Sequence, residues 1–480
     1  MGSHIPYGRQ DIRAEDVEAV AAVLRSDWLT QGPAVPRFEA ALAKACGAGH
    51  AVVVNSATSA LHLACVALGL GPGDRLWTSP NTFTASANCA LYCGAQVDFV
   101  DIDLRSGNMS ADALAAKLER AAADGALPKI VVPVHFAGQS CDMRRIKELG
   151  ERYGFRIVED AAHAVGATYR GAPVGDCRYS DIAVFSFHPV KIITTGEGGA
   201  ALTGDAALAA RMMRLRSHGT TKAPERLTDK TNGAWYYEVE ELGWNYRMTD
   251  IQAALGHSQI ARLHDYVARR TALAARYDRL LANSGLALPW CDPDGASAWH
   301  LYVVGWNEAA FGLSRADAFA RLRAAGIGVQ VHYIPVHTHP YFRTLGFRPG
   351  QYPNAEAHYA RAITIPLHAA LTDAQQDVVV DQILRLAARH ERRRHPRPRP
   401  QQADSPQEHP PVRRQADHRL RDRGGPPMRP VRPHRGLDRR CRDRGGGAGL
   451  RRRDAVRAAA GFGRRSYRHR CRGGACAQLA

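Results

Sequence analysis

The sequence predicts an α/β protein: a mainly parallel sheet covered by helices on both faces, then a smaller α+β unit, then a basic tail. Three observations predict it. From about Ala51 to Gly204, short runs of continuous Val and Ile alternate with amphipathic stretches. Strands buried on both faces read as unbroken apolar runs, and their alternation with helices marks a parallel sheet with crossover connections. Residues 298–390 read as a smaller α+β unit, and from Glu391 there is almost no Val, Ile or Leu periodicity.

Residues 11–46 read as helices joined by a loop, "SDWLTQGPAVPRFE". "AVVVN" is then a buried strand, and "SATSALHLACVALGL" a helix opened by a Ser/Thr cluster. "DRLWTSP", "QVDFVDID", "KIVVPVHFAG", "FRIVEDAAHAVG", "DIAVFSFHPVK" and "GGAALTG" continue the strands. "FTASANCALYCG", "ADALAAKLERAAA" and "DMRRIKELGERYG" supply helices between them. Thr220–Trp235 is polar and reads as a loop, and 249–285 as a long helical pattern that Thr249 could cap. In the smaller unit, "AWHLYVVGW" and "IGVQVHY" read as strands, "SRADAFARLRAAG" and "TDAQQDVVVDQILRLAARH" as helices. The domain expectation is a large domain over 1–250, a small α+β domain over 251–390 and a tail over 391–480.

Charge is confined to one place. Between Glu391 and Ala480 stand 26 Arg, no Lys and 8 acidic residues, a surplus equal to the whole net charge of +18. The rest keeps 38 basic and 38 acidic groups of the chain's 64 and 46. A neutral body argues against nucleic acid as its partner. No apolar run is long enough to span a bilayer, and "MGSHIPYGRQ" has no signal-peptide stretch. Seven of the ten Cys lie in the body, in apolar stretches without paired CxxC spacing. Buried free thiols in a reducing cytoplasm follow, rather than disulfides or a metal site.

Ligands of such sheets bind beyond the carboxyl ends of the strands, and four stretches place chemistry there. "NSATSALHLA" (55–64) is a strand running into a helix start, where free N–H groups and the helix dipole favour an anion. "VEDAAHAVGA" (158–167) ends a buried strand on Asp160, a carboxylate that needs a cation or donor. "FSFHPVKIITTGEGGA" (185–200) brings Ser186 and Lys191 to the same edge. An ammonium there, partly desolvated, becomes a nucleophilic amine. "LGWNYRMTDIQAALG" (242–256) puts Asn245 and Arg247 on an aromatic loop before a helix. Alone, each has an ordinary structural explanation. Together, an anion seat, a buried carboxylate and an activatable lysine are what pyridoxal phosphate requires.

In this order, with "SDWLTQGP" and "PNTFTASANCALYCGA", the motifs resemble the sugar-nucleotide aminotransferases of the DegT/StrS family, from about Ile5 to His390. The resemblance implies fold-type I, a seven-stranded sheet sandwiched by helices, with pyridoxal 5'-phosphate as cofactor. It implies that Lys191 carries the coenzyme covalently, that Asp160 pairs with its ring nitrogen and that Phe83 stacks on the ring. Ala57, Thr58 and Ser186 would hold the phosphate, with His163 beside the ring. Asn245 would reach the neighbouring subunit's coenzyme, implying a homodimer with shared sites, and Arg247 would face substrate. "IPYGRQDI" and "IGVQVHYIPVHTHPYF" are similar to the branch that aminates a UDP-linked 4-keto-6-deoxy-N-acetylhexosamine with L-glutamate on the route to pseudaminic acid. That places His332, Tyr333, His337 and His339 near the sugar nucleotide. Rival substrates are the 4-keto sugars leading to 4-amino-arabinose or perosamine. The family's 3-dehydrases replace the lysine with histidine, and Lys191 argues against that chemistry. A non-catalytic coenzyme-binding regulator is opposed by Lys191 and Asp160, and a nucleic-acid-binding protein acting through the tail by the tail's lack of pattern.

The tail is expected to be disordered. Back-translated and read one base later, "HPRPRPQQADSP" yields Ile-Pro-Ala-Arg-Gly-Arg-Ser-Lys-Arg-Ile-Pro, which resembles the start of CMP-sugar cytidylyltransferases. A shifted-frame reading of a neighbouring gene follows; an uninterrupted frame with unrelated codons on resequencing would refute it.

Overall fold

The structure, a computed structural model, describes residues 4–394. All but the first residues of the tail, and with them the expectations of disorder and a shifted frame, lie outside the described residues.

Seven strands form the central sheet: β1 (His50–Val54), β2 (Arg75–Thr78), β3 (Gln96–Phe99), β4 (Ile130–Val132), β5 (Arg156–Asp160), β6 (Ile182–Ser186) and β7 (Gly199–Thr203). Their order is β1-β7-β6-β5-β4-β2-β3. The pairs β2–β3, β2–β4, β4–β5 and β5–β6 are parallel, and β7 runs antiparallel between β6 and β1. The two-residue period of a strand explains the two cores. Val52 and Val54 join Leu61 and Leu63 of α3 (Ala57–Ala67) on one face. Val53 joins Phe38 and Leu42 of α2 (Ala34–Cys46) and Ala253 of α8 (Asp250–Ile260) on the other. Each fully buried Val, Leu or Phe among them contributes roughly 1.5–3 kcal/mol.

Around this sheet lie α1 (Ala14–Leu24), α4 (Ala85–Tyr92), α5 (Ala111–Ala123), α6 (Met143–Tyr153) and α7 (Ala206–Leu215). A separate antiparallel pair, β8 (Tyr302–Gly305) and β9 (Ala362–Ile365), packs with α9 (Leu263–Leu281), α10 (Arg315–Ala324) and α11 (Asp373–Arg394) around Trp306, Tyr277 and Val379.

Four expectations need correction. The first loop is shorter than the sequence suggests: α2 begins at Ala34, because Pro36 sits in its first turn, where no intrahelical N–H is lost. The 249–285 pattern is two helices, α8 and α9, separated at Ala261–Arg262; Thr249 does cap α8, in a reciprocal capping box with Gln252. The polar loop closes as a short hairpin, Thr220–Thr221 against Glu238–Val239. "IGVQVHY" is not a ladder strand, since it pairs at single points, Ile327 with Ile5 and Gln330 with Thr364; the β8 partner is "AITI" at 362–365.

Candidate active site

β5 and β6 are parallel neighbours with Asp160 opposite Val184, so Asp160 and Ser186 end side by side at the carboxyl edge. Asp160 is buried, and its carboxylate is held from two sides. Oδ2 accepts from Ser86 Oγ of α4 at 2.5 Å and Oδ1 from the Ala162 N–H at 3.1 Å. Those donors fix the orientation of a carboxylate that burial would otherwise penalise.

Lys191 ends the tight turn after β6, its N–H bonded to the His188 carbonyl at 2.8 Å. The residue keeps some exposure, but its ammonium lies among protein atoms. Burial pulls the amine from 10.5 down to about 8, with Asp160 opposing the shift. A lysine so placed is a substantially neutral amine in mildly alkaline solution. For the coenzyme-free chain, borohydride-trapped coupling of pyridoxal phosphate should therefore rise with pH through a midpoint near 8. A midpoint near 10.5 would show a solvated lysine.

His163 is buried, and its pKa falls well below the ordinary value through burial and then through Lys191. Its Nδ1 accepts the Ala137 N–H at 3.2 Å. The neutral ring therefore carries its proton on Nε2 and donates it to Tyr333 Oη at 3.1 Å.

An anion seat adjoins. Ser56 caps α3 by accepting the Ser59 N–H, while the N–H groups of Ala57 and Thr58 make no hydrogen bond among the described residues. Gly199, paired with Ser186 across β6–β7, presses against this helix start: a Cβ there would stand 2.4 Å from the Ala57 nitrogen. Only glycine lets the strand pass so close. Gly199→Ala should push α3 away and weaken pyridoxal phosphate binding by about tenfold or more, read as the Kd from absorbance titration.

The remaining predicted residues divide. His332 is buried, its Nδ1 2.7 Å from Thr364 Oγ1, and burial followed by Lys191 depresses its pKa to about 3. Asn245 is exposed and Arg247 half-buried on a strip that pairs with Ser217 and Val54, beside the α3 start. Phe83 lies at the entrance to α4 with 61% of its surface exposed. His337 is not brought to the site: it is fully buried, with Nε2 2.9 Å from Glu356 Oε1 and its ring against Phe99 and Tyr352. That pairing corrects the expectation of contact with substrate.

Several residues at the site escaped the sequence reading. Ser86 orients Asp160. Asn81 accepts the Tyr333 N–H at 3.2 Å and donates to the Gly107 carbonyl at 2.9 Å. The ring of His300 lies 4.4 Å from that of His163, and Tyr7 lies 5.7 Å from His332. None carries a local signal, because each reaches the site from a distant segment.

The residues present fit an aldehyde coenzyme with a basic ring nitrogen and a phosphate: a depressed amine, a twice-bonded carboxylate and two open N–H groups at a helix start. Fold and site define a pyridoxal-phosphate-dependent aminotransferase. Comparison with known proteins agrees: the DegT/DnrJ/EryC1/StrS aminotransferase family matches residues 10–384. The spore coat polysaccharide biosynthesis protein SpsC of Bacillus subtilis (strain 168) is 41% identical over 382 residues, 79% of this chain and 96% of that one. Among solved structures, Helicobacter pylori PseC, an aminotransferase involved in the biosynthesis of pseudoaminic acid, superposes with a TM-score of 0.73 at 30% identity. The match covers 81% of this chain and 100% of that one. The aminotransferase TlmJ from Streptoalloteichus hindustanus gives 0.72 at 30%, over 81% and 100%. The chain belongs to the DegT/DnrJ/EryC1/StrS aminotransferase family.

Proposed function

We propose that the chain transfers the amino group of L-glutamate to the 4-keto carbon of a UDP-linked 4-keto-6-deoxy-N-acetylhexosamine. The product is UDP-4-amino-4,6-dideoxy-N-acetyl-β-L-altrosamine, and the enzyme acts in the cytoplasm as a homodimer. The observation that supports this substrate is the likeness to H. pylori PseC along nearly the whole body.

Pyridoxal phosphate, when bound, supplies an electron sink for the carbon that gives up its proton. Lys191 is the covalent anchor, and its Nζ, once free and neutral, moves the proton from the α-carbon of the donor. Asp160 holds a proton at the ring nitrogen, and Ser86 and the Ala162 N–H keep its carboxylate aimed. The Ala57 and Thr58 N–H groups, with Ser186, bind the phosphate. His163 stays neutral and donates to Tyr333, fixing a polar pair beside the ring for the sugar nucleotide to meet. His332 borders that space, Arg247 contributes to substrate binding, and Asn245 completes the partner's phosphate seat.

A second reading rests on SpsC, whose 41% identity exceeds the 30% of PseC and whose name concerns spore coat polysaccharide. A different 4-keto sugar nucleotide would then be the acceptor. Incubating the loaded enzyme with glutamate and a panel of UDP- and dTDP-linked 4-keto sugars, following 2-oxoglutarate, separates the two. The N-acetylated UDP sugar should give the highest kcat/KM; preference for any other acceptor overturns the first reading.

A further inference from the structure

A cavity of ≈ 270 Å³ lies away from Lys191 and Asp160, between the 104–107 turn, the 136–139 loop and residues 287–305. Its walls include Phe136, Trp290, Trp299 and Leu301, and no Asp or Glu contributes to them. Two cations do: Arg105 and Arg361. Neither forms a salt bridge among the described residues, and each lies at the surface end of the cavity with its guanidinium free of carboxylate. The Arg105 guanidinium lies 4.0 Å from the centroid of the Trp290 ring. A guanidinium resting on an aromatic face keeps its N–H groups available to an anion. Arg361 spends only Nε, on the Ala357 carbonyl at 3.3 Å. An apolar, aromatic-walled cavity bearing unpaired fork donors and no acid selects its ligand by charge and by shape.

We propose that this cavity is a second small-molecule site, taking a planar aromatic ring that carries one carboxylate or phosphate. The ring packs on the aromatic wall, and the anion meets Arg105 and Arg361. Phe136 forms part of that wall, and its ring centroid stands 6.5 Å from His163 and 6.2 Å from Tyr333. An occupant therefore touches the back of the active-site wall without entering it. The proposal does not depend on which sugar the enzyme aminates.

The test is calorimetric titration of the coenzyme-loaded full chain with 1-naphthoate and with 1-naphthyl phosphate, which separates the carboxylate source from the phosphate one. Uncharged 1-naphthamide and inorganic phosphate serve as shape-only and charge-only probes. Saturable one-to-one binding of at least one aryl anion is expected, with both control probes about tenfold weaker or worse. Arg105→Gln and Arg361→Gln should each weaken it about tenfold, with melting temperatures unchanged. Lys191→Ala should leave it intact. The proposal is overturned by absence of saturable binding, by parental affinity in both arginine variants, or by loss of binding in Lys191→Ala, which would tie the probe to the catalytic lysine rather than to this cavity.

Discussion

Lys191→Ala should lower turnover by at least about 10⁴-fold, since it removes the covalent anchor and the proton-moving base together. The fold should survive, and in the coenzyme-free chain it should gain. The folded-state pKa of Lys191, about 8, lies below the 10.5 of a solvated lysine. The folded chain therefore disfavours the proton that the unfolded chain keeps. That penalty is present in full below pH 8 and disappears as pH rises from about 8 to 10.5. Alanine removes it, so at pH 7 the urea midpoint of the coenzyme-free variant should be at or above that of the parent, and the difference should shrink by pH 10. Loss of activity with a lowered midpoint at pH 7 would instead mark Lys191 as a structural residue. Retained 2-oxoglutarate production would remove it from the chemistry altogether. Borohydride reduction of the loaded parent, then peptide mapping, supplies the independent readout: the pyridoxyl group belongs on the peptide containing "FSFHPVK".

How much of this was legible in the sequence depends on how local the cause is. Six of the seven strands show as apolar runs because they are buried on both faces, and that burial leaves its mark residue by residue; β3, at the sheet edge, alternates instead. Asp160 and Lys191 stand out because a charge at the end of such a run needs a reason. The direction of β7 carries no such mark, because its antiparallel course depends on what lies beside it. Ser86 is one small residue among several in α4, and only its 2.5 Å contact with Asp160, 74 residues away, gives it meaning. Histidines mislead in the same way. His332, close enough to Lys191 to feel its charge, and His337, locked to Glu356 in the core, sit five residues apart in one segment. Nothing in the segment tells them apart, because burial and partner are set by the 362–365 strand and the helix at Pro353–Arg361.

Directly behind Asp160, His135→Ala should cost about 3–5 kcal/mol of stability, the usual price of stripping a buried charge of its partner. Glu159 precedes Asp160 in β5 and points to the opposite face. It is buried with Oε2 2.6 Å from His135 Nε2 and Oε1 2.5 Å from Ser180 Oγ. Burial disfavours a charge on the fully buried His135 ring, and the bond to Glu159 pulls the other way. The Cys141 N–H, 3.2 Å from Nδ1, occupies the lone pair that a second proton needs. In this geometry a neutral ring donates from Nε2 to the carboxylate. Alanine leaves Glu159 with Ser180 alone, in a cavity beside the strand end that carries Asp160. His135→Ala/Glu159→Gln should recover much of the loss, because the uncompensated charge goes with the second change. Urea unfolding of the parent and the two variants measures both effects. A single variant within 1 kcal/mol of the parent would mean that other donors already compensate the Glu159 carboxyl in the fold. Because the backbone N–H of His135 also bonds the Asp160 carbonyl at 3.1 Å, loosening this layer should raise the Kd for pyridoxal phosphate as well. That separates a support beneath the site from a residue that only fills the core.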